Sequence, residues 1–374
     1  MPPIRLGMLR LTDAAPVVLA RESGLFAAEG LDVALSVEPS WANLADKLCY
    51  GLLDAAVMLP PLALAVALGL RAAATPLLVP MGLSLNGNAV TLAEDLAAPI
   101  LADGRPEALE AGRRLGRLLA ARPKARLAVV HARSTHHLLL RYWLAASGID
   151  PDLDVVIGVI PPAEMVAALE SGRIDGFCAG APWGQMAARA GLGREVVTSA
   201  GIWRNHPEKC LAVRADWAGT EPAPLQSLLC ALLRAAQRCD DPAEAKELAG
   251  LLAADRYVGV PAEAVVASLP GGGPDSSIFF AQAATWPWRS HADWFLGQMA
   301  RWGDLPAGLD RQAAAREVYR PDLHAEAARA LGLPVPDRDR KQEGGHDRPW
   351  QLGAAPGPIE MAPDPFCDGA HFPA

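Results

Sequence analysis

Residues 126–137 (RLAVVHARSTHH), 174–183 (IDGFCAGAPW) and 206–213 (HPEKCLAV) decide the fold of this chain. Each contains a short apolar run, typical of a buried strand, beside a turn of small or polar residues. In an open α/β sheet, ligands bind at the loops that follow the strands. Because His136 and Lys209 lie at such loops, we interpret this region as a pocket for a small anion.

The chain is too long to be built around a single hydrophobic core. It has 374 residues, whereas one core stops growing at roughly 250–300 residues, so we expect two lobes. Hydrophobic residues make up 51% of the chain and charged residues 20%, which is typical of an ordered globular protein. The net charge of −8 argues against direct nucleic-acid binding, because phosphate binding needs a basic face.

The first part of the chain alternates between strand and helix patterns. This βαβαβ order predicts an α/β lobe with a parallel sheet covered on both faces. Asn86-Gly87 is a turn signal, and we expect a crossing strand there that leads into the second lobe. The predicted strands are 4–9, 31–37, 53–58 and 76–80, and the predicted helices are 14–28, 41–50 and 61–68.

The second lobe repeats the same alternation, with predicted strands at 126–130, 155–160 and 174–178 and predicted helices at 113–121, 137–146 and 163–171. Beyond Lys209 the pattern becomes mostly helical, and we expect a return to the first lobe. The last segment is rich in Pro, Gly and Asp and predicts an extended tail. The predicted divisions are therefore 1–86 and 211–332 for lobe 1, 87–210 for lobe 2 and 333–374 for the tail.

Three features of the sequence lead us to expect a cytoplasmic protein. Residues 1–9 show no charged leader, apolar signal region or cleavage site. The most apolar run, Leu59 to Leu70, is too short to span a bilayer and is better interpreted as a buried helix. The six cysteines have no CxxC spacing, so they are interpreted as reduced thiols rather than disulfides or metal ligands.

Lys209 is the first candidate ligand residue. The chain has few lysines: Lys47, Lys124, Lys209, Lys246 and Lys341. A lysine at a strand-edge turn in an apolar context provides a compact positive charge that would neutralise a small anion. The alternative is a solvated surface lysine that pairs with Glu208.

His136 is the second candidate, because the start of a helix favours an anion and an imidazole N–H adds a directional donor. Its alternative is an ordinary residue of the first helical turn. His137 is interpreted as structural, and Thr135 as the helix cap. Trp41 is interpreted either as an indole N–H donor to the ligand or as a core residue.

Gly180 and Asn88 complete the set of candidates. Gly180 would let the backbone approach a ligand closely, although a turn glycine is the simpler interpretation. The Asn88 amide has a hydrogen-bond donor for a ligand but would equally serve the turn. Since none of the GxSxG, HExxH or GxxxxGK[ST] motifs is present, we expect neither an enzyme nor a bound cofactor or metal.

Several ordered motifs resemble those of the nitrate- and bicarbonate-binding proteins of ABC importers. They are LTDAAP (11–16), ESGLFAAEGL (22–31), Ser40-Trp41, RYWLAA (141–146), DGFCAGAPW (175–183), HPEK (206–209), and in the tail GPIEM (357–361) with Asp368-Gly369. The resemblance implies a type II periplasmic-binding-protein fold, with two α/β lobes joined by two crossing strands and an anion held in the cleft between them.

The resemblance also implies which residues hold the anion. The family's tryptophan, side-chain amide, histidine, backbone glycine and lysine match Trp41, Asn88, His136, Gly180 and Lys209. Asn88 is shorter than the glutamine usual in the importers. The bicarbonate binders of the family carry an acidic residue at the position of Lys209, so this lysine favours nitrate or nitrite.

Within this family the chain most resembles the cytoplasmic nitrate/nitrite sensors of the NasS type. Such a sensor holds an RNA-binding antiterminator protein of the NasT type inactive until the anion binds. The alternatives are the binding protein of an ABC nitrate importer and an enzyme of the related pyrimidine-precursor group. The enzyme would need a cysteine-rich catalytic loop, and the sequence has none.

Overall fold

Two five-stranded sheets organise the chain, and each is the centre of one lobe. The computed structural model describes residues 2–70, 74–273 and 275–373. The strands are β1 (Ile4–Met8), β2 (Val33–Val37), β3 (Ala55–Met58), β4 (Leu77–Gly82), β5 (Asn88–Ala93), β6 (Ala125–Val129), β7 (Val155–Val159), β8 (Gly176–Gly180), β9 (Gly193–Thr198), β10 (Cys210–Arg214), β11 (Val335–Pro336), β12 (Trp350–Leu352), β13 (Ala354–Ala355) and β14 (Ile359–Met361).

Helices cover both sheets and make up most of the chain after β10. They are α1 (Ala15–Glu22), α2 (Leu25–Ala28), α3 (Trp41–Cys49), α4 (Pro60–Ala67), α5 (Glu94–Ile100), α6 (Ala108–Leu119), α7 (Thr135–Ala146), α8 (Met165–Glu170), α9 (Trp183–Arg189), α10 (Ser199–Ile202), α11 (Ala215–Thr220), α12 (Pro222–Cys239), α13 (Ala245–Ala253), α14 (Ala262–Val266), α15 (Arg289–Arg301), α16 (Arg311–Val318) and α17 (Pro321–Ala330), with 3-10 turns at Thr12–Ala14 and Pro162–Glu164.

The sheets of the two lobes have the same plan. Lobe 1 has the strand order β2-β1-β3-β10-β4 and lobe 2 the order β7-β6-β8-β5-β9. In each sheet the first three strands are parallel, and the fourth, β10 or β5, runs antiparallel to both of its neighbours. The predicted α/β architecture of two lobes is thus confirmed, but the sheets are mixed, because the strand that follows each crossing enters its sheet in the opposite direction.

The predicted helix over 14–28 is wrong in one respect, since the chain breaks it at Gly24. This residue has φ 74°, a left-handed conformation that glycine adopts without steric cost, and α1 and α2 lie on either side of it. The sequence analysis did not predict α5, α9 or β9. The apolar strands were more predictable, because β3 and β8 are buried along their whole length.

Two segments cross between the lobes side by side. Residues 83–86 run antiparallel to residues 206–209, and the Leu83 amide donates to the Lys209 carbonyl at 2.7 Å. The Glu208 amide donates to the Ser84 carbonyl at 2.9 Å, and the Asn86 amide to the His206 carbonyl at 3.0 Å. Every change in the angle between the lobes must therefore bend or twist these two short crossing segments.

The tail connects the helices that follow β10 to lobe 2. Its Lys341 is buried and contacts Glu343 and Asp364, with the ammonium 3.1 Å from Asp364 Oδ2. Ser290, in α15, donates a hydrogen bond of 2.7 Å to Glu343 Oε1. We call Lys341, Glu343, Asp364, Ser290 and His291 the strap cluster.

Beyond the strap cluster the tail lies against lobe 2. The ring of Phe366 stacks on Trp203 with centroids 4.6 Å apart, and the Cys367 amide donates to the Ile202 carbonyl at 2.8 Å. The Tyr142 hydroxyl, in α7, donates to Asp368 at 2.9 Å. The tail therefore adds a second link between the lobes, separate from the crossing segments.

Two global features bear on the sequence interpretation. The six cysteines, Cys49, Cys178, Cys210, Cys230, Cys239 and Cys367, are free thiols. Within residues 2–70, 74–273 and 275–373, none of the helices is both long and apolar enough to cross a bilayer.

Candidate anion site

Lys209 is the last residue of the second crossing segment, residues 206–209, and is followed directly by β10. Its residue exposure is 1%. The ammonium lies 2.8 Å from Asp13 Oδ2 and contacts Glu208 Oε1 more closely still. It also lies 5.5 Å from the centroid of the Trp41 ring. Lys209 is therefore buried among charged and aromatic groups, and its predicted pairing with Glu208 occurs inside the protein rather than at its surface.

Glu208 connects the crossing segment to lobe 2. Its Oε2 accepts a hydrogen bond of 2.5 Å from Asn88 Nδ2, at the start of β5. Its Oε1 lies 3.5 Å from Nε2 of His136, which is in the first turn of α7. The second distance is too long for a strong hydrogen bond, so the imidazole is a neighbour of this carboxylate rather than its partner.

Asn88 and Gly180 lie opposite each other where β5 pairs with β8. A Cβ atom added to Gly180 would lie 3.3 Å from Asn88 Oδ1 and 3.4 Å from Asp13 Oδ2. Because Gly180 has no Cβ atom, Asp13 of lobe 1 has room to approach β8 of lobe 2. An Asn88 side-chain N–H, which the sequence suggested as a donor to a ligand, instead donates to Glu208.

Trp41 begins α3, whose N-terminus is capped by Ser40 accepting from the Asn43 amide at 3.2 Å. This cap fixes the start of the helix and directs the indole toward Lys209. On the opposite side, the cap of α7 is Ser134, whose Oγ accepts from the His137 amide at 3.0 Å. The prediction that Thr135 is the cap is therefore wrong, because the helix begins at Thr135 itself, one residue earlier than that interpretation requires.

The structure brings all five candidate residues together and adds two acidic residues. Asp13 and Glu208 did not enter the predicted set; Glu208 was considered only as the partner of a surface lysine at position 209. Asp13 lies in the 3-10 turn Thr12–Ala14 of the connection after β1, at the sheet edge where ligands bind, and this position was the signal available in the sequence. The signal was weak, because Thr-Asp before a helix usually indicates capping.

Several buried polar atoms of the candidate residues, and of Thr135 next to His136 in the chain, have no hydrogen-bond partner among the described residues. Buried polar groups are nearly always paired, so a cluster of exceptions indicates a site for a polar ligand. Hydroxyl, indole and neutral imidazole groups provide N–H or O–H donors, and a ligand with several acceptor oxygens fits them. The atoms are Trp41 Nε1, Thr135 Oγ1, His136 Nδ1 and Nε2, and Asn88 Oδ1.

The ionisable groups of the site influence one another strongly. Burial alone would raise the pKa of Glu208, but the charge of Lys209 beside it lowers the value to about 2. Burial would lower the pKa of Lys209, but Asp13 and Glu208 raise it. Burial raises the pKa of Asp13, against the opposing effect of Lys209. The site therefore holds a firm Glu208–Lys209 ion pair and a carboxyl group, Asp13, that is protonated more readily than usual.

The buried histidines are held neutral. Burial lowers the pKa of His136 to about 3 and that of His206 to about 4. His206 Nε2 lies 2.7 Å from the Ser199 hydroxyl, which in turn donates to the Asn88 carbonyl at 3.0 Å. A neutral His136 carries one N–H, which makes it a directional donor and not a counter-ion. No group of His, Cys, Asp and Glu side chains within the described residues is arranged to hold a metal ion.

Acidification is expected to destabilise the fold through these histidines. Their folded pKa values of about 3 and 4 lie below the ordinary histidine value of about 6.5. The unfolded chain therefore binds more protons below pH 6.5, and stability falls as pH drops from 6.5 toward 4. Each histidine contributes a slope of up to about 1.4 kcal/mol per pH unit. Urea denaturation at pH 7.5, 6.0 and 5.0 measures this slope, and His136→Gln should reduce it, whereas an unchanged slope would contradict the assignment.

The chain matches the model of the NMT1-like family over residues 1–253. The nitrate/nitrite binding protein NrtA of Synechococcus elongatus is 36% identical over 88% of this chain and 78% of its own length. The nitrate import ATP-binding protein NrtC of Synechocystis sp. is 38% identical over 88% of this chain. The chain spans only 50% of the length of that relative.

A solved structure has the same architecture. The crystal structure of the periplasmic nitrate-binding protein NrtA from Synechocystis PCC 6803 superimposes with a TM-score of 0.86 and 29% identity, covering 99% of this chain and 95% of that one. Since the family model matches more than half of the chain and the resemblance extends over both lobes and the tail, the chain belongs to the NMT1-like family and is a homologue of the nitrate/nitrite-binding proteins NrtA.

Proposed function

We propose that this chain binds nitrate or nitrite beside Lys209 and reports the anion, in the cytoplasm, to an antiterminator protein of the NasT type, so controlling nitrate-assimilation genes. The observation that carries the anion-binding part is the pair of unpartnered donor side chains beside the Lys209–Glu208 ion pair: Trp41, whose ring centroid lies 5.5 Å from the ammonium, and His136, 3.5 Å from Glu208. Nitrate is planar, offers only acceptor oxygens and has a single negative charge. Those properties match a site with several neutral donors and one cation.

The position of the site explains how an anion would be reported. Asp13 comes from lobe 1, His136 and Gly180 come from lobe 2, and Lys209 lies on the crossing segment. A ligand held by all of them favours the conformation in which the lobes are closed. Closure reports the ligand only to the extent that the anion binds the closed state more tightly than the open one.

The lobes are joined across the cleft by direct hydrogen bonds. The Thr12 amide donates to the Ala181 carbonyl at 3.0 Å. The indole N–H of Trp183 donates to the Arg10 carbonyl at 3.2 Å. These bonds break when the lobes separate, so a partner protein that holds the open form competes with the anion.

The free thiols support the cytoplasmic part of the proposal. Cys178, Cys210, Cys230 and Cys239 are buried and unpaired, and such thiols persist in a reducing compartment. Similarity to the periplasmic NrtA supports the second candidate, the binding protein of an ABC nitrate importer. Both candidates use the same anion site and differ in the compartment and in the partner.

A pull-down from cell extract separates the two candidates. The tagged chain is incubated with and without millimolar nitrate, and bound proteins are identified by mass spectrometry. An antiterminator-like protein that leaves when nitrate is added supports the sensor, and a Lys209→Ala variant should retain that protein at every nitrate concentration. Tight nitrate binding with recovery in the periplasmic fraction and no such partner would favour the importer instead.

Gly180→Ala is expected to weaken nitrate binding several-fold without unfolding the protein. The added methyl group would lie 3.3 Å from Asn88 Oδ1 and 3.4 Å from Asp13 Oδ2, so both side chains must shift by a few tenths of an ångström. Calorimetric titration with nitrate measures the change. Gly219→Ala is the matched control, because its Cβ would meet no atom within 4 Å, and equal affinities of the two variants would contradict a close approach at Gly180.

A further inference from the structure

The charge balance of the site is unusual for an anion site. One ammonium, that of Lys209, lies between two carboxyl groups, Asp13 and Glu208, at relative exposures of 1%, 7% and 1%. If both carboxyl groups are ionised, the three side chains sum to one negative charge before any anion arrives. A bound nitrate would then leave two uncompensated negative charges in a buried site, where opposing charges are weakly screened.

Of the two carboxyl groups, Asp13 is the one suited to take up a proton. Glu208 is held in its charged form by Lys209 and by the Asn88 amide N–H, and it lies next to His136. For Asp13 the structure gives one charged partner, Lys209 at 2.8 Å. Burial raises the pKa of Asp13, whereas the pKa of Glu208 is lowered to about 2 against the effect of its own burial.

The groups that face Asp13 come from three elements. The crossing segment contributes Lys209, which attracts a negative charge, and Glu208, which repels one. Strand β8 contributes the backbone of Gly180, and β5 contributes the unpartnered Asn88 Oδ1, which is an acceptor. A protonated Asp13 would have an O–H to donate, either to a bound anion or to that amide oxygen.

We propose that Asp13 is a specificity-determining residue that links anion binding to a proton, an inference that rests on the proposed function of the same site. Nitrate binds together with one proton, which passes from solvent to the Asp13 carboxylate. Bicarbonate brings the same charge but also an O–H, which it donates to ionised Asp13; this charge-assisted hydrogen bond stabilises the carboxylate in place of a proton, so bicarbonate binds without proton uptake. The same carboxyl group therefore accommodates either class of anion but makes only nitrate affinity dependent on pH.

Proton uptake is measured by calorimetric titration at pH 8 in buffers of different ionisation enthalpy. We expect about one proton to be taken up per nitrate and about none per bicarbonate. Nitrate affinity should fall by up to about tenfold per pH unit above the pKa of Asp13, since one proton is linked to binding. The wild-type protein suffices for this test, so it does not depend on the folding of any variant.

In Asp13→Asn the side chain always has an N–H donor and is uncharged at every pH. We expect this variant to bind nitrate without proton uptake and with a pH-independent affinity, and to bind bicarbonate at least tenfold more weakly than wild type. The exposed Asp347 provides the matched control Asp347→Asn, which should retain proton uptake with nitrate.

The outcomes separate this inference from the proposed function. Nitrate binding by wild type with no proton uptake at any pH from 6 to 9 would overturn the role of Asp13 and leave the nitrate site intact. Nitrate-linked proton uptake that persists in Asp13→Asn would also overturn it, because another group would then carry the proton. Failure of wild type to bind either anion would overturn both the inference and the proposed function.

Discussion

Lys209→Ala is expected to weaken nitrate binding more than a hundredfold. Among residues 2–70, 74–273 and 275–373, Lys209 provides the one ammonium beside Asp13, Glu208 and Trp41. Removing one member of a buried ion pair costs about 3–5 kcal/mol, and every 1.4 kcal/mol is about tenfold in affinity. The loss is large because the variant retains the negative charge of Glu208, which then repels the incoming anion with no ammonium to offset it.

Calorimetric titration of nitrate into the two forms measures this effect. Lys246→Ala is the control, because Lys246 is an exposed lysine on α13 and its loss changes the net charge of the protein by the same amount. Lys209→Met retains most of the buried aliphatic volume, so comparison with Lys209→Ala separates the loss of charge from the loss of packing. Wild-type affinity in Lys209→Ala would refute the assignment of this site.

Lys341→Met is expected to destabilise the protein by about 3–5 kcal/mol, through the strap cluster and not through the anion site. Lys341 is buried between Glu343 and Asp364. Burial would raise the pKa of Glu343, but Lys341 beside it lowers the value to about 2. Without the ammonium, two carboxyl groups remain buried, and neutral donors are left to them: the Ser290 hydroxyl for Glu343 and the His346 amide, at 3.0 Å, for Asp364.

Urea denaturation of Lys341→Met and wild type at pH 7 measures the loss. The matched comparison is the triple variant Lys341→Met, Glu343→Gln, Asp364→Asn. It removes the ammonium and both carboxylates and should recover most of the stability. Below pH 4.5 the difference between Lys341→Met and wild type should shrink, since the stabilisation from ionised Glu343 is lost as pH falls toward its folded pKa of about 2. A variant as stable as wild type at pH 7 would show that the cluster does not secure the tail.

Much of the fold was predictable from local pattern. Short apolar runs such as 126–130 and 174–178 gave strands because a buried parallel strand is apolar on both faces. The boundaries shifted by a few residues where capping decided them, as at Ser134. The helix α9 was missed because Trp183 to Arg189 follows a strand within two residues and has too few turns for a clear helical period.

That the five candidate residues lie near one another was predictable from the sequence, but the electrostatics around them were not. A strand edge identifies Gly180, and the loop after a strand identifies His136, so local sequence and family resemblance suffice for these residues. The pairing of Asp13 with Lys209 depends on the two lobes meeting, and no local pattern encodes it. For the same reason the sequence did not reveal that Asn88 donates a side-chain N–H to Glu208 and leaves its Oδ1 without a partner.

The position of β10 in the sheet of lobe 1 determines the order in which the chain acquires structure during synthesis. Lobe 2 draws its five strands from the continuous stretch 88–198, whereas lobe 1 needs β10, at 210–214, between β3 and β4. In that register Val213 pairs with Ala55. A ribosome therefore releases every strand of lobe 2 before the sheet of lobe 1 can close, so the second lobe is the first to be complete, although the first lobe begins the chain.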